Sequence, residues 1–211
     1  MICLLNILNT ESGNRIANDM LSWLKPLYNV IEFRHDGSKF EGPGIEHACQ
    51  LCISQNEPCL YLHTKGAFYS TPNFTDKSLI PTLMGKHHIP IDQWQSIVRN
   101  LWKHEFTSSR RHLYETAHSQ LSSIPLVTAP YVCIRNGTTW YNGFIMNSLA
   151  AKNILNIMPN ATSRFYYEQL PGYASGITTL GLRIIDVDQT KNVSSYEKMI
   201  EDTIHFYTGE L

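Results

Sequence analysis

The chain has 211 residues, of which 43% are hydrophobic, and this is enough to build one large domain around a continuous core. Its 17 Lys and Arg residues nearly balance its 18 Asp and Glu residues, which gives a formal net charge of -1. A positive field of the whole molecule, of the kind that attracts nucleic acid or anionic lipid, is therefore excluded, and an anionic ligand must be bound by a local cluster. No stretch approaches the ~18 uninterrupted apolar residues of a membrane-spanning helix, so none is predicted.

The five cysteines indicate a reducing compartment. They are odd in number and three lie in apolar stretches that predict strands, so we expect reduced, buried thiols of a cytoplasmic protein. Cys49-x-x-Cys52 has no second pair and no His at zinc spacing, which favours core packing over a metal or redox site. The apolar start from Met1 to Leu8 has neither the basic region nor the cleavage site of a signal peptide, so we expect no leader there.

The first third of the chain alternates between predicted strands and helices. Buried strands are predicted at Ile2–Leu8, Val30–Phe33 and Pro58–Leu62, and helical spacing of apolar residues occupies the two stretches between them. This order predicts right-handed crossovers and a parallel sheet. Ligands bind at the carboxyl ends of such strands. Three polar loops should meet at that edge, namely residues 9–12, 35–38 and 63–66.

The remainder of the chain is predicted to continue as a single α/β domain. Residues 67–90 contain Gly and Pro and predict a long irregular loop, which is usually a lid, a substrate arm or a locally disordered segment. The elements predicted after it are helices at Ile91–Phe106 and Ser108–Leu121, strands at Pro125–Thr128, Tyr131–Ile134 and Trp140–Met146, a helix at Ser148–Met158, a helix beginning near Arg164, a strand at Leu182–Val187 and a closing helix at Ser194–Tyr207.

Asp36-Gly37-Ser38, after the second predicted strand, resembles the Asp-Asp-Gly-Ser turn of glycosyltransferases with the nucleotide-binding GT-A fold. His35 stands where the first Asp of that turn would be. The resemblance implies a Rossmann-like domain with a mostly parallel sheet flanked by helices, in which Asp36 accepts hydrogen bonds near the nucleoside. Common turn chemistry explains the same three residues about equally well.

The third predicted strand ends in His63-Thr64-Lys65-Gly66, where GT-A enzymes usually place an Asp-x-Asp that holds a divalent metal on the sugar diphosphate. Lys65 cannot ligate a metal, but its ammonium group can neutralise diphosphate charge directly. Gly66 would let backbone amides approach phosphate oxygens, and His63 would donate a hydrogen bond to phosphate or to a sugar hydroxyl. The alternative is a solvated Lys65 beside a structural His63.

The tract Leu60–Gly66 resembles a bacterial family of polysaccharide glycosyltransferases related to rhamnan-synthesis and lipopolysaccharide-synthesis proteins. Three later segments resemble further motifs of that family in the same order. Ile91–Trp94 corresponds to a Trp-Arg helix, with Gln95 in place of the Arg. Trp140–Met146 is similar to a Gly-Asn-Phe-Trp segment with Gly and Asn inverted, and Arg164–Glu168 is similar to an Arg-aromatic-x-Glu segment.

This resemblance also implies roles for residues of the second half. Glu168 would be the general base that takes the acceptor proton, although a surface Glu in a first helical turn is an equal alternative. Trp140 and Asn142 would bind the sugar ring. Asp186 and Asp188 form a literal Asp-x-Asp, for which a strand-ending turn is the simpler interpretation and an Mg or Mn site a minority one. No cofactor is therefore predicted with certainty.

The resemblance implies a glycosyltransferase that moves a sugar from a nucleoside-diphosphate donor to a glycan or lipid-linked acceptor in surface polysaccharide synthesis. Residues 1–66 would form the nucleotide-binding half of a single domain spanning 1–211, and residues 91–211 the acceptor-side half. We expect a cytoplasmic enzyme that meets its acceptor at the inner face of the membrane and binds no nucleic acid. The alternative is a catalytically silent nucleotide- or glycan-binding module with the same fold.

Overall fold

The computed structural model describes residues 1–39, 41–64, 91–108, 114–115, 123–133, 137, 139, 143–160, 166–174 and 176–185, without the side chains of residues 91–95, 131, 133, 160, 168 and 182–185. Within these ranges no helix combines the length and the apolar character needed to cross a membrane.

Strands and helices alternate through most of the described chain. Their order is β1 (Ile2–Leu8), α1 (Glu11–Leu24), β2 (Asn29–His35), α2 (Gly42–Gln55), β3 (Cys59–His63), α3 (Ile91–Ser108), β4 (Leu126–Cys133), β5 (Phe144–Met146), α4 (Ser148–Ile157), a short 3-10 helix (Met158–Asn160), α5 (Tyr166–Tyr173) and β6 (Thr178–Ile185).

The six strands of the described residues form one mixed sheet in the order β2-β1-β3-β5-β4-β6. β1 pairs in parallel with β2 and with β3, and β4 pairs in parallel with β6. Only β5 is antiparallel to its neighbours, β3 and β4. The predicted α/β class with a mostly parallel sheet is confirmed, and this architecture is compatible with a Rossmann-like fold.

Two apolar clusters cover the two faces of the sheet, which explains why β1 and β3 are continuously apolar. All seven residues of β1 are buried. Cys3, Leu5 and Ile7 pack with α1 and α3, whereas Ile2 and Leu4 pack with α2, α4 and α5 on the opposite face. A strand covered on both faces has no solvent side on which polar residues could alternate.

The described cysteines lie in this core. Cys3, Cys49, Cys52 and Cys59 are all free and fully buried, and the Cys49 sulfur lies 3.6 Å from the Met146 sulfur. The prediction that Cys49-x-x-Cys52 packs in the core is confirmed, because both side chains face the sheet from α2.

Side-chain caps fix the starts of two helices. The Thr10 hydroxyl accepts a hydrogen bond from the Gly13 amide at 3.0 Å and caps α1. Asn147 caps α4 by accepting from the Ala150 amide at 2.9 Å, and the same oxygen accepts from Leu126 at 3.1 Å at the start of β4. Such caps satisfy amides that a helix leaves without intrahelical partners.

Several predicted boundaries were wrong, and among the described residues the strand predicted at Trp140–Met146 comprises only Phe144–Met146. The strands predicted at Pro125–Thr128 and Tyr131–Ile134 are one strand, β4, because parallel pairing with β6 continues on both sides of Pro130. β6 begins at Thr178 rather than at Leu182, since an edge strand with only one neighbour accommodates polar residues. The predicted loop at 67–90 and closing helix at 194–207 lie outside the described residues.

Candidate functional site

The carboxyl ends of β1, β2 and β3 meet at one edge of the sheet, as their parallel pairing requires. Leu8 lies opposite His35 of β2, and Asn6 lies opposite His63 of β3. The Asn9 amide donates to the His35 carbonyl at 2.8 Å, so the chain leaving β1 is tied to the end of β2. The predicted Asp36 and His63 segments therefore lie at this carboxyl edge with only β1 between them, about 10 Å apart by two strand spacings.

Asp36 forms a turn with its own neighbours at this edge. Its carboxylate accepts from the Ser38 amide at 2.8 Å, and Gly37 adopts a φ of 85°, a conformation that favours glycine. Hydrogen bonds from the hydroxyl and amide of Ser38 lower the pKa of Asp36. The side chain is exposed and anionic at neutral pH, and its oxygens have room for further donors.

His35, beside this turn, is a neutral hydrogen-bond acceptor. Its Nδ1 accepts from the Gly37 amide at 3.2 Å, which requires a deprotonated nitrogen. Burial lowers the pKa of His35, and the charges of Glu41 and Asp36 oppose that shift only in part. His35 occupies the position of the first Asp in the Asp-Asp-Gly-Ser turn, and its imidazole is hydrogen-bonded into the turn.

His63 forms a buried pair with Glu41, the residue that precedes α2. Its Nδ1 lies 3.2 Å from Glu41 Oε1, and the two side chains are only 8% and 7% exposed. The imidazole also meets the Trp102 ring edge-on at 5.4 Å between centroids and stacks near Tyr61. These contacts fix the ring at the carboxyl edge and give Glu41 a role there.

Two tyrosines lie close enough to Glu41 for its charge to raise their pKa values. Burial, and after it the Glu41 charge, raises the pKa of Tyr61 well above its usual value and also raises that of Tyr167. The Tyr61 hydroxyl accepts from Asn6 Nδ2 at 3.0 Å. Asn6 is completely buried, and its Oδ1 has no hydrogen-bond partner among the described atoms. Both phenols therefore stay protonated beside the carboxylate.

Tyr167 brings α5 to the same edge. A Cβ added to Gly42 would lie 2.4 Å from the Tyr167 hydroxyl oxygen, so only glycine allows the first turn of α2 to approach this tyrosine so closely. Glu168 is the next residue of α5 and lies in its first turn. The described part of Glu168 is its backbone, which the Tyr167 contact brings near the carboxyl edge.

Thr64 completes the ladder between β1 and β3. Its amide donates to the Asn6 carbonyl at 2.9 Å, and its hydroxyl accepts from the Leu8 amide at 3.1 Å. In regular parallel pairing the Thr64 carbonyl would accept from Leu8, so the hydroxyl oxygen substitutes for it where β3 ends. A hydroxyl that accepts one hydrogen bond still carries a proton of its own.

Several predicted site residues lie outside the described residues: Lys65, Gly66, Trp140, Asn142, Asp186 and Asp188. Lys65 follows Thr64 directly in the chain. Asn142 precedes Gly143, which enters β5 from the carboxyl edge because β5 is antiparallel to β3. Asp186 follows the end of β6, three strands away from β3. Across the described residues, no group of three or more His, Cys, Asp or Glu could hold a metal ion.

Residue spacing does not reveal Glu41, and it does not reveal the other described partners at this edge, namely Asn6, Trp102 and Tyr167. Glu41 lies 22 positions before His63 on a different element, and no motif spacing relates the two residues. The only local signal is an acidic residue at the start of a helix, which the helix dipole explains without any function.

Comparisons with known proteins add no homologue. No protein-family model matches the sequence, and no match is found among curated proteins or among solved structures. The chemistry of the site therefore has to be argued from its own residues.

Proposed function

We propose that this protein is a glycosyltransferase of the GT-A type, which transfers a sugar from a nucleoside diphosphate to a glycan or lipid-linked acceptor in surface polysaccharide synthesis. It would act in the cytoplasm, at the inner face of the membrane when its acceptor is lipid-linked. The observation that carries the proposal is the common edge of the Asp36 turn and the His63-Thr64 strand end, separated only by β1.

This edge offers the two kinds of group that a nucleoside diphosphate requires. Asp36 is exposed and anionic, which suits the hydroxyl and N–H donors of a nucleoside. His63 and the Thr64 hydroxyl proton suit phosphate oxygens, and Lys65 and Gly66 follow Thr64 in the chain. A spacing of about 10 Å between the two groups is of the order of the length from nucleoside to diphosphate.

The transfer step would depend on electrostatic stabilisation of the leaving diphosphate. As the sugar departs, negative charge builds up on the diphosphate, and fixed cations and hydrogen-bond donors at the strand end stabilise that charge. In this mechanism Lys65 does the work that a divalent metal does in other enzymes. Asp186 and Asp188 remain the candidates if an Mg or Mn ion takes part.

The acceptor side of the proposal uses Glu168, Trp140 and Asn142. Glu168 would remove the proton of the attacking hydroxyl, and support for this comes from the contact of Tyr167 with Gly42, which brings the first turn of α5 to the carboxyl edge. Trp140 and Asn142 would bind the donor sugar, and they precede the strand that enters the sheet from that edge.

One observation favours a second candidate, a catalytically silent module that binds a nucleotide or a glycan. The Thr64 hydroxyl completes the β1–β3 ladder, and His63 Nδ1 is engaged by Glu41. Structural roles alone could therefore account for two of the four residues of the His-Thr-Lys-Gly tract.

Substitution of Lys65 tests the proposal. Lys65→Ala should weaken transition-state binding by about 2–5 kcal/mol, the range for removing one partner of a desolvated charge pair, which is roughly a 30- to 5,000-fold loss in kcat/KM. Turnover of a panel of nucleoside-diphosphate sugars measures this loss, and Lys152→Ala, an exposed lysine of α4, is the matched control.

The outcomes separate the two candidates. An enzyme binds a nucleoside diphosphate and turns over its sugar conjugate, and both activities weaken in Lys65→Ala but persist in Lys152→Ala. A silent module binds the ligand in calorimetry without turnover. Unchanged turnover in Lys65→Ala, or no binding of uridine, guanosine or thymidine diphosphate, would contradict the assignment.

A further inference from the structure

The strand β2 differs from the strands beside it in how much of it is exposed. None of its seven residues is buried, whereas every residue of β1 and β3 is. Glu32 and Arg34 are exposed on the face that carries α1, and Ile31 and Phe33 are half-buried on the face that carries α2. A strand at the edge of a sheet is a template on which a further strand can pair.

The outer side of β2 presents main-chain hydrogen-bonding groups. The Asn29 amide donates to the Met1 carbonyl at 3.2 Å, and the register with β1 is regular from this residue onward. Because successive residues of a strand turn these groups to opposite sides, Val30, Glu32 and Arg34 direct theirs away from the sheet. No hydrogen bond of the described residues engages these outward groups. Glu32 is exposed as a residue although its side chain is only 32% exposed, so its main chain is accessible.

The charges along this edge alternate in sign. Glu32 Oε2 lies 3.2 Å from Arg34 Nη2, two positions away on the same face, and Lys25 Nζ of the residue after α1 lies 3.5 Å from Glu32 Oε1. Exposed pairs of this kind contribute little to the stability of a single chain. A row of one sign would repel a second copy of the edge. An acidic and a basic residue two positions apart are instead complementary to themselves when the second copy runs antiparallel.

A two-fold axis beside Phe33 brings these groups together. In antiparallel pairing about this residue, Glu32 of each chain lies opposite Arg34 of the other, and these are residues whose main-chain groups point outward. The two charge pairs therefore coincide with about four main-chain hydrogen bonds. The Phe33 side chains of the two chains meet on the opposite face as a close cross-strand aromatic pair. An axis at Glu32 or at Arg34 would set like charges against each other.

We propose that β2 is a self-association edge, at which two copies of this chain pair antiparallel about Phe33 and join their sheets. The partner is a second copy because the edge is complementary to itself in charge and in main-chain hydrogen bonding. Antiparallel pairing turns the carboxyl ends of the two β2 strands in opposite directions, so the two candidate sites face opposite ends of the joined sheet. The inference does not depend on the proposed function.

Analytical ultracentrifugation over a wide range of protein concentration tests the self-association. We expect the mass to approach twice that of the chain as concentration rises. Glu32→Pro removes an outward amide and leaves the hydrogen bonds between β1 and β2 in place, so this variant should be a folded monomer by circular dichroism and ultracentrifugation. A wild-type protein that stays monomeric at every concentration, or a dimer that persists in Glu32→Pro, would overturn the inference.

Charge reversal tests the register and remains informative if Glu32→Pro does not fold. Glu32→Arg or Arg34→Glu alone should raise the dimer Kd by about tenfold or more, because two opposite-charge pairs become like-charge pairs. Both changes together restore opposite charges across the axis and should restore the Kd. Lys152→Glu, at an exposed lysine of α4, is the control and should leave the Kd unchanged. Single reversals without effect, or a double variant no tighter than the single ones, would rule out this register.

Cysteine cross-linking tests the position of the axis. Phe33→Cys chains should form an intermolecular disulfide on mild oxidation, because the Cα atoms of a non-hydrogen-bonded antiparallel pair are about 4.5 Å apart, within the range of a disulfide. Ile31→Cys is the matched control on the same face, and it should not cross-link because its two copies lie four residues out of register. Absence of a cross-link in Phe33→Cys, or equal cross-linking of the two variants, would contradict an axis at Phe33.

Discussion

Removal of the Thr64 hydroxyl should destabilise the protein by a predictable amount. In Thr64→Val the side chain keeps nearly the same shape, but the Leu8 amide loses the acceptor that it has at 3.1 Å. Thr64 is 4% exposed, so water cannot readily replace that acceptor. A buried donor left without a partner costs about 1–3 kcal/mol, and each kcal/mol lowers the Tm of a domain of this size by about 2–4 °C.

Urea denaturation combined with amide hydrogen exchange would measure this effect. Thr64→Ser is the matched control, because it keeps the hydroxyl and loses only a methyl group, at about 0.8 kcal/mol. The Leu8 amide should exchange faster in Thr64→Val and stay protected in Thr64→Ser. A Thr64→Val protein within about 0.5 kcal/mol of the wild type, with Leu8 still protected, would refute the idea that the hydroxyl completes the ladder.

Two further predictions concern the fold. Asn147→Ala should lower the free energy of unfolding by about 2–4 kcal/mol in urea denaturation, since it removes the α4 cap, the acceptor for Leu126 and the donor to the Ile124 carbonyl; a loss below about 1 kcal/mol would contradict this. The four described core cysteines should resist labelling by iodoacetamide at pH 8 until urea is added, namely Cys3, Cys49, Cys52 and Cys59. Burial raises the pKa of Cys52 to about 12 and the pKa values of the other three thiols above their usual value, so little reactive thiolate forms. Labelling of any of them in the native protein, detected by mass spectrometry, would contradict this.

The first half of the fold was predictable because its strands are covered on both faces. Ile2–Leu8 and the run ending at Leu62 are apolar throughout, and a short apolar run of this kind is typical of a strand inside a parallel sheet. The end of β4 and the start of β6 were not predictable to the residue. Their positions depend on pairing across Pro130 and at Thr178, and local sequence does not encode which strand will lie alongside.

The position of the candidate site in the fold could be predicted from the sequence, but the contacts between its side chains could not. Parallel order alone brings the Asp36 turn and His63 to one edge, and the structure has them there. The role of Thr64 depends on the register of β1 against β3, which makes its hydroxyl fall opposite the Leu8 amide. Glu41 depends on how α2 packs over the sheet. Both contacts depend on tertiary packing, which residue spacing in the sequence does not specify.

The antiparallel strand β5 has a consequence for how the sheet assembles. β2, β1 and β3 come from the first 64 residues, and β4, β5 and β6 from a second stretch, so every described strand pair except β3–β5 forms within one of these two stretches. The three residue pairs that join Cys59–Tyr61 to Phe144–Met146 instead close a loop of more than about eighty residues. Contacts this distant in sequence slow folding. The three residues of β5 are thus the junction on which the cooperativity of the whole sheet depends.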